Sequence, residues 1–397
     1  MKLLQVNCVY NKGSTGKIMQ DIHNQVLNMG WESIICYGRG EKTTDKYVYK
    51  TCSEIYSKFN NLLSRFTGIM YGGCFFSTNK LISIIKKENP DIVHLHCING
   101  YFVNIYRLIK WLNKSRIKTV LTLHAEFMHT ANCGHAYECE KWKTGCGKCP
   151  RLKKATKSIF IDNTHLSWKR MKKAFEDFEN LTVVSVSGWL RKRAELSPIL
   201  KEKDHTVVLN GLNTDIFKPY ETDDLKKELN LGNKKILFHV TASFNSEVKG
   251  GQYIIELARR LEKDNIAIIV AGNYNKEKTY PESIIFLGNI SDQTKLAKLY
   301  SMADLTVLAS KKETFSMPVA ESLCCGTTVV GFKAGGPEEI TINEYSEFVD
   351  YGDIDKLEKA VREFLDKQFD LKEICEKAKE KYSKETMAKG YIDIYVR

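Results

Sequence analysis

Glu313 and Glu321 stand eight positions apart in the stretch SKKETFSMPVAESLCCGTTVVGFKAGGPEEI, residues 310–340. An apolar run, ADLTVLAS, ends at a polar turn just before them, and a helical pattern begins near Met317. Pro318 suits the first turn of that helix, where its missing N–H costs nothing. A spacing of eight is too wide for an ordinary i, i+4 surface pair. The two carboxylates therefore flank a helix start. Free backbone N–H groups at Phe315, Ser316 and Met317, together with the positive end of the helix dipole, make a phosphate site there. Carboxylates on either side are placed to accept hydrogen bonds from hydroxyls. Phosphate beside polyol is the chemistry of a nucleotide sugar. Gly326 ends the helix, TTVVGF reads as a short buried strand, and Gly335-Gly336-Pro337 opens a further helix at Glu338.

Other chemistry-bearing residues sit at the ends of strand-like runs. MKLLQVNCVY leads into Asn11-Lys12-Gly13-Ser14-Thr15-Gly16-Lys17 and then a helical pattern, a phosphate-contacting arrangement that puts Gly16 and Lys17 at the turn. It is not a Walker A loop, because only two residues separate its glycines. DIVHLHC carries His94 and His96 on one face of a strand, and TVLTLHAE ends at His124. Open α/β sheets bind ligands at the carboxyl ends of their strands, which favours His124 as a site residue over a core histidine. KKILFHVTAS is followed by a loop ending in Lys249-Gly250-Gly251, which opens a helix. Asp353 and Asp355 form a D-x-D, but an Asp before an amphipathic helix is more simply an N-cap.

The 310–340 stretch closely resembles the glutamate-x7-glutamate region of glycosyltransferase family 4, retaining enzymes of the GT-B fold, here of the cell-surface polysaccharide biosynthesis type. The resemblance extends over nearly the whole chain and is strongest from 206 to 340. It implies that Glu313 contacts the transferred sugar, that Glu321 contacts the nucleotide ribose, and that His124 lies close to sugar and phosphate. It also implies that Lys249 clamps the donor diphosphate, that the Gly288–Ile290 turn cradles the base, and that His96, on a strand ending at the cleft, is a cleft-wall residue. Two positions depart from the family: Ser316 stands where glycine is usual, and Ser243 or a neighbour stands where an arginine is expected. The implied mechanism needs positioning and charge stabilisation, with no covalent nucleophile and no catalytic metal.

The elements that must position these residues are those of an α/β chain of 397 residues, comfortable for two domains. The expected architecture is GT-B, two Rossmann-like domains facing each other across a cleft. Residues 1–205 form the acceptor side with a cysteine-rich insertion at 133–149, residues 206–375 bind the nucleotide sugar, and a C-terminal helix, 376–397, returns to the first domain. Apolar residues make up 43% and charged residues 27%, and no run approaches the ~20 apolar residues that cross a bilayer. The N-terminus reads as a first strand and not as a signal peptide, so a cytoplasmic protein with reduced cysteines is expected.

Four cysteines cluster: Cys133, Cys139, Cys146 and Cys149, spaced C-x5-C-x6-C-x2-C. The closing C-x2-C is the usual chelating half of a tetrahedral zinc site, so a structural zinc that orders the loop beside His124 is expected. Disulfides and unrelated buried thiols are the competing readings, and His135 could replace one cysteine. From Lys141 to Lys173 there are eleven Lys/Arg and one acid, Asp162, with Trp142, Ile159, Phe160 and Trp168 interleaved. With a net charge of +12, this stretch suits an anionic surface such as the inner face of a membrane. The aromatic stretch RFTGIMYGGCFFST is either an acceptor-side element or packing. The expected partners are a nucleotide-sugar donor and a glycan or lipid-linked acceptor, with no nucleic acid. A related phosphorylase or epimerase is the alternative, and a nucleic-acid-binding protein built on the basic region is the alternative from another class.

Overall fold

The apolar runs form two all-parallel sheets in the computed structural model, which describes residues 1–397. One unit comprises residues 1–209 with 388–397, and the other residues 210–387. The changeovers thus fall at 209/210 and 387/388, where the sequence reading put them at 205/206 and 375/376.

The first unit holds seven strands: β1 (Lys2–Val9), β2 (Glu32–Arg39), β3 (Val48–Lys50), β4 (Ile92–Leu95), β5 (Lys118–Leu123), β6 (Leu181–Ser185) and β7 (Asp204–Val207). Their order across the sheet is β3-β2-β1-β4-β5-β6-β7. A parallel sheet covered on both faces needs strands apolar on both sides, and β4 is buried throughout. Helix α1 (Gly13–Asn28) packs Ile18, Met19, Ile22 and Val26 against the sheet at helical spacing. It starts at Gly13, so Gly16 and Lys17 lie in its first turns and not in a preceding loop. Helix α2 (Glu54–Thr67) begins at Ser53, whose side chain accepts from Tyr56 N–H.

The second unit holds six strands: β8 (Lys235–Ser243), β9 (Ile266–Asn273), β10 (Ile284–Gly288), β11 (Leu305–Leu308), β12 (Val329–Phe332) and β13 (Ser346–Val349). They are ordered β10-β9-β8-β11-β12-β13, the same winding as in the first unit. Its core includes Leu237, Ile268, Val307, Val330 and Phe332 from the strands, with Leu257 and Val361 from the covering helices. In each unit the strand order reverses once, between β1 and β4 and between β8 and β11. Ligands of such sheets bind beyond the strand carboxyl ends at that reversal.

The terminal helical stretch is two helices, Leu371–Tyr382 and Lys384–Val396, broken at Ser383. Tyr382 is fully buried and donates to the Ile340 carbonyl, which ties the first helix to the second unit. Tyr391 and Tyr395 of the last helix belong to the first unit. No helix is long and apolar enough to cross a membrane.

Candidate active site

The loops after β8 and β11 meet at the reversal of the second sheet. Lys249 closes a short 3-10 turn after β8, and Gly250 follows it at φ +74°. A Cβ on Gly250 would sit 1.9 Å from the Ala309 carbonyl oxygen, so only glycine lets the two loops approach. Val248 O accepts from Lys311 N–H at 2.9 Å, which joins the loops by their backbones. The Lys249 ammonium then reaches the Glu313 carboxylate, with Nζ 2.6 Å from Oε1. Sequence reasoning gave these two separate tasks; the structure makes them one ion pair.

Glu313 is fixed from its other side as well. Its N–H donates to Ala334 O and its carbonyl accepts from Gly336 N–H. Glu338 accepts from the amides of Ala334 and Gly335, folding the turn after β12 back under Glu313. Gly336 is required here, because a Cβ would meet Thr314 O at 2.3 Å.

The helix Met317–Cys324 starts as the sequence predicts, with Pro318 in its first turn, and Gly326 follows its end at φ +84°. Its N-cap, Ser316, has φ +80° and ψ +88°, a conformation that L side chains avoid and glycine accepts. The side chain offers no cap, and its Oγ is buried without a hydrogen-bond partner. Phe315, Ser316 and Met317 donate to no other backbone group, as helix N-terminal amides do. Glu321, one turn on, accepts from Tyr300 Oη at 3.0 Å. Tyr300 is wholly buried on the preceding helix, and the local sequence carried no sign of this support. At the expected arginine position, Ser243 is exposed at the end of β8.

In the first unit, His94, His96 and His124 form a chain at the carboxyl ends of β4 and β5. His94 bonds Tyr395 Oη at 2.6 Å and Thr122 Oγ1 at 2.7 Å, which makes it a satisfied core residue. His96 was expected at a cleft wall, yet it is 0% exposed. Its Nε2 lies 3.1 Å from Gln5 Oε1 and its Nδ1 lies 3.3 Å from His124 Nε2. Gln5 donates its amide nitrogen to Met19 O, so its oxygen must accept from His96 Nε2–H. His96 Nδ1 is then an acceptor, and His124 Nε2–H donates to it. That assigns His124 the tautomer with its lone pair on Nδ1. Burial lowers His124 to about 4 and holds His96 well below the usual histidine range, so both are neutral near pH 7. Gln5, a polar residue inside an apolar strand, was the one sequence signal for this chain.

The segment after His124 is anchored by a buried carboxylate. Glu126 lies 2.5 Å from Arg193 Nε and 3.4 Å from His129 Nε2, and it accepts from Ala136 N–H at 2.7 Å. Burial alone would raise its pKa. The hydrogen bond and charge of His129, the Arg193 guanidinium and the Ala136 amide outweigh that and hold it down to about 2. Arg193 also stacks on Trp142, whose carbonyl accepts from Trp168 Nε1. Around Trp142, Cys133, Cys139, Cys146 and Cys149 line one cavity of about 20 Å³. Such a space suits one water-sized occupant. All twelve cysteines are free thiols. As the side chains stand, no group of three or more His, Cys, Asp or Glu is placed to hold a metal ion.

Residues 221–382 match the family model described as glycosyl transferases group 1. Over its full length the chain is 20% identical to the putative colanic acid biosynthesis glycosyl transferase WcaC of Escherichia coli, covering 99% of that protein. It is 25% identical to the N-acetyl-alpha-D-glucosaminyl L-malate synthase of Bacillus anthracis, over 69% of this chain and 65% of that one. Among solved structures it is similar to Anabaena HepE in complex with UDP, with a TM-score of 0.65 at 15% identity over 99% of each chain. That last likeness concerns the fold.

Proposed function

We propose that this chain, a glycosyltransferase of the GT-B fold with a group 1 domain over residues 221–382, moves a sugar from a nucleoside diphosphate donor to a hydroxyl of a glycan or lipid-linked oligosaccharide, with retention of configuration. The observation that carries the reading is the meeting of Lys249, Glu313 and the Ser316 helix start at one strand-order reversal. Lys249 and the amides of Phe315–Met317 bind the diphosphate, Gly250 lets the backbone come close, and Glu321 accepts from the ribose hydroxyls. Glu313 orients the sugar. In the first unit, Gly16 and Lys17 are the proposed donor contacts, in the first turns of α1, and neutral His124 is the proposed residue beside sugar and phosphate. The C1–O bond to the phosphate breaks as the acceptor oxygen bonds C1 on the same face. The acceptor's proton goes to the departing phosphate oxygen. Charge stabilisation of that phosphate is the protein's main contribution.

HepE was solved with UDP, which makes UDP the first donor base to test. A thermal-shift series with UDP, GDP, ADP and CMP, followed by their sugars, is the direct experiment. A ligand that binds only the folded state raises Tm. We expect one diphosphate to stabilise the protein and its sugar to be turned over with an acceptor; no shift with any of them ends the reading. The similarity to WcaC, named for colanic acid biosynthesis, supports an acceptor in polysaccharide assembly.

We propose separately that Cys133, Cys139, Cys146 and Cys149 hold one structural zinc ion, with no metal in the chemistry. Support comes from the shared cavity and from the turn between the last two cysteines. Cys146 and Lys148, which are not glycines, have positive φ there, and Lys141 Nζ pins the turn by donating to the carbonyls of Gly147 and Lys148. Burial pushes the thiols of Cys133 and Cys146 up to about 12, so a divalent cation must displace their protons.

A further inference from the structure

Helix α2 is amphipathic and set into its unit back to front. Its polar residues Ser57, Asn60 and Ser64 are 0%, 6% and 3% exposed, whereas Ile55, Phe59, Leu62 and Phe66 are 83%, 59%, 52% and 51% exposed. The inward polar face is specifically bonded. Asn60 Oδ1 accepts from Cys74 N–H at 2.8 Å, and Ser57 Oγ donates to Gly100 O at 3.2 Å. The outward residues recur at i, i+4, i+7 and i+11, a single stripe along the helix. Phe76, 78% exposed, extends the stripe at one end through its ring contact with Tyr56. Phe160, 82% exposed, extends it at the other, where Ile159 N–H donates to Arg65 O. An apolar surface this continuous marks an interaction site.

Charge identifies what covers it. Lys58 and Arg65 are exposed along the stripe, and Lys153, Lys154 and Lys157 are exposed on the segment leading to Phe160. The helix has one acid, Glu54, which is paired with Arg39 at 2.8 Å. The neighbouring segment has Asp162, which is occupied by the amides of Cys149 and Thr164. A second copy of the chain would set cations against cations. A bilayer with anionic headgroups offers acyl chains to the stripe and negative charge to its rim, the pattern of an interfacial helix.

We infer that this outward face of α2 docks the protein onto an anionic membrane surface. The inference deepens the reading of a lipid-linked acceptor and rests on it, because docking brings the enzyme to the plane where such an acceptor lies.

The test uses the full chain, sedimented with phosphatidylcholine vesicles and with mixed phosphatidylcholine–phosphatidylglycerol vesicles. We expect binding to the mixed vesicles alone, weakened by salt. The doubly substituted variants F59S/L62S and K153E/K154E change only exposed side chains, and each lowers vesicle partitioning by about tenfold. Equal binding to both vesicle types, no binding, or unaltered binding by F59S/L62S overturns the inference. So does a dimer that F59S/L62S dissolves while vesicle binding persists. A nucleotide thermal shift on the same samples separates the two readings: a shift without vesicle binding removes the docking surface alone, and vesicle binding without a shift removes the donor site alone.

Discussion

The Lys249 ammonium and the Glu313 carboxylate, 64 residues apart in the chain, lie 2.6 Å from each other. Both are partly exposed, at 30% and 20% of their side chains. In the proposed reading, a donor diphosphate competes with Glu313 for Lys249, and its arrival frees the carboxylate for the sugar. Binding and sugar positioning become linked through one pair.

Lys249→Ala should weaken nucleoside diphosphate binding by at least tenfold, since a hydrogen bond to a charged group contributes roughly 1.5–3 kcal/mol. Glu313→Gln removes the competitor, so nucleotide affinity is expected to hold or rise while turnover falls. Titration calorimetry with the diphosphate, beside initial rates with the sugar nucleotide, measures both. If Glu313→Gln loses nucleotide affinity as severely as Lys249→Ala, the coupling is wrong.

Tyr300 holds Glu321 from below, with its hydroxyl 3.0 Å from Oε2. Tyr300→Phe keeps the buried ring and drops only that bond. The expected result is a several-fold loss of nucleoside diphosphate affinity with inorganic pyrophosphate binding unchanged, because the proposed partner of Glu321 is the ribose. Glu321→Ala should show the same split more strongly, and a parallel loss of pyrophosphate binding would count against it.

Ser316 carries a Cβ at φ +80°. Strain of that kind costs on the order of 1–3 kcal/mol, while glycine's extra unfolded-state freedom takes back about 0.5–1 kcal/mol. Ser316→Gly is therefore expected to raise Tm slightly and to tighten nucleotide binding by opening room at the helix start. Ser243→Arg should tighten binding further by supplying a second cation at the exposed end of β8. A drop in affinity for both variants would show that neither position faces the diphosphate.

How far the sequence reached follows from the range of each interaction. Strand and helix alternation was legible because parallel strands are apolar throughout and Pro318 and Gly326 punctuate one helix. Glu313 and Glu321 could be read because both lie within one strand-turn-helix unit. The Lys249–Glu313 pair could not, since only the strand order joins those loops. His96 looked like a wall residue because the resemblance ends its strand at the cleft. Its burial is set by Gln5 and His124, from two other strands. The stripe on α2 is visible in the sequence, but its direction is decided by Cys74 and Gly100, which bond its polar side.

Glu126 gives the first unit a defined response to acid. Its folded value of about 2 lies below the ordinary glutamate value of ~4.3. The stability this difference contributes is fully present above the unfolded value and is lost as pH falls towards 2. Glu126→Gln should flatten the acid limb of a Tm-versus-pH curve in that window. At neutral pH it should also lower Tm, because Arg193 loses the charge of its carboxylate partner. An unchanged acid limb in the variant would remove Glu126 as its source.

The cysteine cluster offers the cleanest binary outcome. Protein purified under reducing conditions without chelator should carry close to one zinc per chain, measured by elemental analysis and by the colour released on thiol modification. Cobalt substitution should give the absorption of tetrahedral thiolate ligation, a readout independent of transfer activity. Chelation should lower Tm, since metal bound only to the folded chain adds its binding free energy to stability. Cys146→Ser and Cys149→Ser each remove one end of the C-x2-C turn and should lose most of the metal, whereas Cys375→Ser, in a helix of the other unit, should keep it. The loop following His124 is the part expected to loosen, so hydrogen exchange over residues 133–149 should rise on chelation while the strands of the sheet stay protected. Metal-free protein with four freely reacting thiols and an unaltered Tm would end the proposal, and a mass lower by two hydrogens per cysteine pair would put disulfides in its place.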